Sequence, residues 1–144
     1  MTPCVRELRL VYSSRKRPGP LPHMSGPGSA AGILLARLEN EPVEVCVVLL
    51  VNTKHRLLGI HELGRGTLDM CIVHPRDVFK AALLANAAGV IVAHNHPSGE
   101  LQPSPEDLNL CARLRHAATI LGIDLLDFVI VGDGRYYSFQ EAGR

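Results

Sequence analysis

His94 and His96 stand two residues apart, and Ser104 and Asp107 follow within the span 94–107. Neutral imidazole and carboxylate are ordinary zinc ligands, and a catalytic zinc takes three protein ligands and a water. Residues i and i+2 of an extended chain face the same way, about 6.6 Å apart along the backbone. Both imidazoles are thus offered to one ion, and Asp107 can return to it from the start of a following helix. Ser104 adds a hydroxyl donor. Ser104-Pro105-Glu106-Asp107 also fits a helix capping box, with Ser at the cap and an acid at the third position. A carboxylate committed to a metal is poorly placed to cap its own helix, so these two readings of Asp107 compete. The joint occurrence of His-x-His, Ser and Asp in so short a span favours a site.

The elements around the motif have to position it. Gly89-Val90-Ile91-Val92-Ala93 reads as a buried strand ending at His94, and Pro97, Gly99, Pro103 and Pro105 restrict the loop beyond. The helix opened by Ser104-Pro105 runs to about Leu121, with Leu108, Cys111, Leu114, Ala118 and Leu121 on its inner side and Gly122 as its stop. Upstream, a short strand is expected at Val5–Tyr12. A Pro/Gly-rich basic linker covers 15–28, and a helix Ala30–Leu38 is capped by Ser29 with Ile33, Leu34 and Leu38 inward. Val43–Val51 is a strand apolar on both faces apart from Glu44, and strands follow at Leu57–Leu63 and Thr67–Val73. His74-Pro75 starts a helix through Asn86, with Val78, Phe79, Ala82 and Leu83 as its core stripe. Leu125–Val131 and Tyr136–Phe139 close the chain as strands joined by Gly132-Asp133-Gly134.

This order describes an α+β domain, three-layer-like (α/β/α), with a mixed, antiparallel-rich sheet flanked by helices. An N-terminal strand and linker occupy 1–28 and the domain proper 29–144. At 144 residues and 47% apolar, the chain can bury a core of its own. A net charge of +1 supplies no global field toward nucleic acid or membrane, and Arg15-Lys16-Arg17 reads as a solvated arm. The longest apolar run, Val45–Val51, is far short of the ~18 residues of a membrane span. Cys4, Cys46, Cys71 and Cys111 are scattered without a Cys-x-x-Cys pair, which fits a reducing, cytoplasmic setting.

The pattern His-x-His-Pro, seven residues, Ser, two residues, Asp resembles the signature of the JAMM (MPN+) metalloprotease family. The resemblance is closest to its bacterial branch, the RadC-like proteins. It extends to Arg65-Gly66-Thr67-Leu68-Asp69, His74-Pro75-Arg76-Asp77-Val78, Ala93–Gly99 and Leu125-Leu126-Asp127, and covers roughly residues 30–144. Phe128 departs from it, standing where the RadC pattern carries His. The helix-hairpin-helix region that precedes the domain in longer RadC proteins has no counterpart here, so DNA binding is not expected from that source.

The resemblance implies a JAMM/MPN (cytidine-deaminase-like) architecture, with His94, His96 and Asp107 holding Zn2+ and water in the fourth position. Ser104 would donate to the developing oxyanion, and a glutamate would take the water's proton and pass it to the leaving amine. Glu44 is the chosen base: if its strand runs antiparallel to 89–96, it begins beside the His-x-His end. Glu41 and Glu62 are the alternatives. His55, His61, His74 and His116 receive no metal role, and His74 reads as a helix-capping neighbour of Pro75. The expected function is zinc-dependent hydrolysis of peptide or isopeptide bonds. The competing function is a metal-stabilised interaction module linked to DNA repair or mobile elements, without catalysis. A nucleobase deaminase is excluded, because His-x-Glu and Pro-Cys-x-x-Cys are both missing. The partner implied is a protein or peptide substrate. Charge does not support nucleic acid, no membrane is implied, and no oligomeric state follows from the sequence.

Overall fold

A computed structural model describes residues 1–2, 4–7, 19–66 and 72–144. The basic run 15–17 and most of the strands expected at Val5–Tyr12 and Thr67–Val73 lie outside these residues. Residues 5–7, Ile72 and Val73, which are described, belong to no strand.

The chain order is α1 (Pro27–Leu38), β1 (Val45–Val51), β2 (Leu57–Arg65), α2 (Pro75–Leu84), β3 (Gly89–Asn95), α3 (Pro105–Leu121), β4 (Asp124–Gly132) and β5 (Arg135–Ser138). The strands form one sheet in the order β2-β1-β3-β4-β5. Only β3 and β4 run parallel, joined through α3, and the other neighbours are antiparallel. The fold is α+β with a mixed sheet, as expected.

Every residue of β1 and of β3 is buried. Their near-continuous apolar sequences follow from cover on both faces. On one face Leu34 and Leu38 of α1 pack with Val47, Leu49, Ile91 and Val129. On the other, Val78, Phe79 and Ala82 of α2 and Cys111, Leu114 and Ala118 of α3 pack with Val48, Val92, Phe128 and Ile130. The site therefore sits on a sheet clamped between two helical layers.

Several helical details differ from the expectation. α1 begins at Pro27, so Pro27-Gly28-Ser29 is its first turn and not linker. Ser29 braces that turn from within, its hydroxyl donating to the Gly26 carbonyl at 2.7 Å. α2 ends at Leu84, and Leu83 is 53% exposed. In α3 the inner stripe is Asp107, Cys111, Leu114 and Ala118, while Leu108 and Leu121 face solvent. Cys111, Leu114 and Ala118 lie inward as expected, but a carboxylate, not Leu108, leads the buried face. Before α1, Met24 is buried and its amide bonds the His55 carbonyl at 2.7 Å. Among the described residues, no helix is long and apolar enough to cross a membrane.

Candidate metal centre

The site is built where β1, β3 and α3 meet. β3 delivers His94 and Asn95 at its last two positions, and His96 follows at once. The His96 amide still bonds Val131 of β4 at 2.8 Å, so the strand's direction is held one residue further. The two imidazoles sit side by side, ring centroids 4.8 Å apart. The chain then turns back through Pro97-Ser98-Gly99, the Gly99 amide bonding the His96 carbonyl at 2.9 Å. Gly99 has φ +84, a left-handed conformation that favours glycine. A Cβ on the neighbouring Gly132 would lie 3.2 Å from both Gly99 Cα and the His96 carbonyl oxygen, so the β4–β5 hairpin presses directly on this turn.

α3 then returns Asp107 to the histidines. Asp107 Oδ1 is 2.7 Å from His94 Nε2, and Oδ2 is 3.2 Å from His96 Nε2. Oδ2 also accepts the Ser104 amide at 2.9 Å, while Ser104 Oγ accepts the Asp107 amide at 3.1 Å. The capping box and the approach to the histidines are therefore both present. The competition expected between them does not arise, because each carboxylate oxygen carries two acceptor positions. Ser104 Oγ accepts the cap bond through a lone pair, which does not use its own proton, and Ser104 lines the same cleft as the histidines.

Glu44 lies just before β1, and β1 runs antiparallel to β3 with Cys46 opposite His94. Its Oε1 is 2.9 Å from His94 Nδ1. The two alternatives lie elsewhere: Glu41 and Glu62 are bound into one surface cluster with Arg37 and Arg65. Sequence reasoning missed Asn95, which is 4% exposed. Its Oδ1 accepts the Val45 amide at 2.7 Å and its Nδ2 donates to the Val43 carbonyl at 3.0 Å. The side chain takes over the ladder bonds of the incoming strand, which is why β1 starts at Val45 and not at Val43. Only its place between the two histidines could have drawn notice. His74 caps α2, its Nδ1 accepting the Arg76 amide at 3.0 Å, as expected.

His94, His96 and Asp107 could together hold a metal ion, with one donor atom from each lying within 4.8 Å of the others. The donors fit such an ion in a further way. Both ring nitrogens of His94 are buried, and neither makes an aligned hydrogen bond despite the close carboxylates. Oxygens crowded off the N–H directions suit a cation between the donors better than a proton. Burial opposes a charged His94, but Asp107 and Glu44 outweigh it and raise its pKa to about 9. Burial likewise works against ionised Asp107, yet His94, His96 and the Ser104 amide hold its carboxyl far below the usual range. His96 Nδ1 is 2.6 Å from the Glu100 carbonyl. That partner fixes the proton on Nδ1 and leaves the Nε2 lone pair for a ligand.

The three residues line a cleft of about 570 Å³, as do Glu44, Cys46, Val73, Ser104, Leu110 and Arg113. Phe128 lies edge-on to the His94 ring, centroids 5.6 Å apart, so the departure from the RadC pattern is an apolar wall on a candidate ligand.

A family profile described as a RadC-like JAB domain matches residues 24–144. The chain belongs to the RadC-like JAB domain family. Individual relatives agree with that assignment. A UPF0758 protein of Rubrobacter xylanophilus is 44% identical over 137 residues, 95% of this chain and 60% of the relative. One of Shouchella clausii is 47% identical over 122 residues, 85% of this chain and 53% of the relative. One of Methanosarcina acetivorans is 41% identical over 117 residues, 81% of this chain and 51% of the relative. This RadC-like chain thus spans about half to three-fifths of the length of these curated relatives.

Proposed function

We propose that this RadC-like domain is a zinc-dependent hydrolase of amide bonds, acting on peptide or isopeptide substrates. The observation that supports it best is the meeting of His94, His96 and Asp107 in the lining of an open cleft, with Glu44 beside His94. A stabilising ion alone needs no cleft leading to it. Zinc held there would acidify a water and polarise the scissile carbonyl. The chain's own groups supply the rest. The Ser104 hydroxyl donates to the oxygen on which charge develops. Glu44 takes the water's proton and returns it to the leaving amine. Phe128 and Val73 keep the rear of the site apolar, which strengthens these charge interactions.

The competing reading is a metal-stabilised interaction module, tied to DNA repair or mobile elements, without catalysis. One observation favours it: Glu44 Oε1 lies 2.9 Å from His94 Nδ1, on the side from which a carboxylate that merely orients a metal-ligating histidine would act. A cytoplasmic setting is supported by the scattered cysteines, of which Cys111 is a buried thiol.

The test is hydrolysis of a quenched-fluorescent peptide and isopeptide library by zinc-reconstituted protein. The hydrolase reading expects turnover that a chelator and Asp107→Ala both abolish. A protein that gains thermal stability from zinc yet cleaves nothing would leave the interaction module standing.

A further inference from the structure

We propose that the cleft recognises a carboxylate on its substrate, two or three residues from the scissile bond, through Arg113. This rests on the hydrolase reading and adds a substrate class to it. Glu106, Leu110 and Arg113 stand at i, i+4 and i+7 of α3 and all line the cleft. They share one helix face, next to the buried stripe that Asp107 leads. Arg113 lies six residues beyond Asp107, about 9 Å along the axis at 1.5 Å per residue. An extended peptide advances about 3.3 Å per residue. A substrate lying along α3 with its scissile bond over Asp107 would bring a carboxylate two or three residues away under the guanidinium.

Among the described residues lining the cleft, Arg113 is the only lysine or arginine. No described carboxylate forms an ion pair with it, in contrast to Arg37 and Arg65, which are tied to Glu41 and Glu62. Leu110, one turn before Arg113 on the same helix face, Val73 and the 86% exposed side chain of Ile72 supply apolar lining to the cleft. This apolar lining suits aliphatic substrate side chains. The acids Glu44, Glu106 and Asp107 also line the cleft and repel a polyphosphate. One guanidinium in a cleft also lined by apolar side chains and three carboxylates suits a single carboxylate better than a nucleic-acid backbone. That carboxylate is either a peptide's C-terminus or an acidic side chain.

The test uses three fluorescein-labelled alanine–leucine hexapeptides: one with a free C-terminus, one amidated, and one amidated with glutamate as its last residue. Their Kd values are measured by anisotropy on the full chain incubated with equimolar zinc, for wild type, Arg113→Gln and Lys54→Gln, with thermal melts to confirm folding. Lys54 is an exposed control in the β1–β2 turn. At least one carboxylate peptide is expected to bind about tenfold more tightly than the neutral amide, the scale of one charge-assisted pair. Which of them does so distinguishes a chain terminus from an acidic side chain. Arg113→Gln should erase the preference and Lys54→Gln should keep it. No preference in wild type, a preference that survives Arg113→Gln, or no binding by any of the three overturns the proposal. So does Arg113-dependent displacement of the peptides by a thymidine dodecamer. Equal zinc-stimulated cleavage of neutral and acidic peptides would sink this proposal alone. Arg113-dependent binding without any cleavage would sink the hydrolase reading and leave the carboxylate site standing.

Discussion

The side chain of Asn95 accepts the backbone amide of Val45 at 2.7 Å, across a separation of fifty residues. The residue between the two candidate ligands therefore fixes the strand entrance from which Glu44 reaches His94. Ligand pair and acid are coupled through one buried amide.

Replacing Asn95 by Ala would leave the Val45 N–H and the Val43 carbonyl without these partners. Each unsatisfied buried group costs about 1–3 kcal/mol, so with two of them the variant should lose roughly 2–6 kcal/mol in denaturant unfolding. Its zinc content should stay near wild type, because no donor atom is removed. A variant as stable as the parent would mean that the clamp does not hold β1.

Glu44→Gln separates the two roles open to this residue. As a general base, its loss should lower kcat by about 10²–10⁴-fold with metal content unchanged. As an orienting group on His94 Nδ1, its loss should instead weaken metal affinity by about 10–100-fold. Metal titration beside turnover tells which applies, and full activity with full affinity refutes both.

Ser104→Ala removes a helix cap and an oxyanion donor together. The cap accounts for about 0.5–2 kcal/mol of stability, and the donor for about 10²–10³ in kcat. Unfolding should show the first loss and turnover the second, with KM little changed. A rate that falls only as far as the folded fraction falls would confine Ser104 to capping.

In chelated protein His94 titrates near 9, against an ordinary value of 6.5, because Asp107 and Glu44 outweigh its burial. A raised folded value stabilises fully below 6.5, and the contribution is lost as pH rises through 9. Tm in EDTA should therefore fall between pH 6.5 and 9. Zinc needs the neutral imidazole, so its affinity should rise over the same window. A flat or rising Tm in EDTA would show that His94 is not held protonated by these carboxylates.

Much of the site was legible because it is written in local spacing. His94 and His96 share a face by strand periodicity, and Ser104 and Asp107 share a helix turn. The position of Glu44 beside His94 followed from assuming that its strand runs antiparallel to β3, which it does. What stayed hidden depends on contacts through space. Nothing local shows that Asn95 clamps a strand from fifty residues earlier, or that a Cβ at Gly132 would crowd the motif turn at 3.2 Å. Cys111, Leu114 and Ala118 lie inward as their spacing indicates, but Leu108 looked inward only because it is apolar, and Asp107 takes the buried position at the head of that stripe.

The most direct test of the proposed centre is metal content by mass spectrometry, on protein purified without added metal or a histidine tag, with Asp107→Ala in parallel. About one zinc per chain in the parent and almost none in the variant is the expected result, since three protein ligands are the usual minimum for a catalytic site. No zinc in either protein after reconstitution would mean that Asp107 serves only to cap its helix and pair with two histidines, and the hydrolase reading would fall.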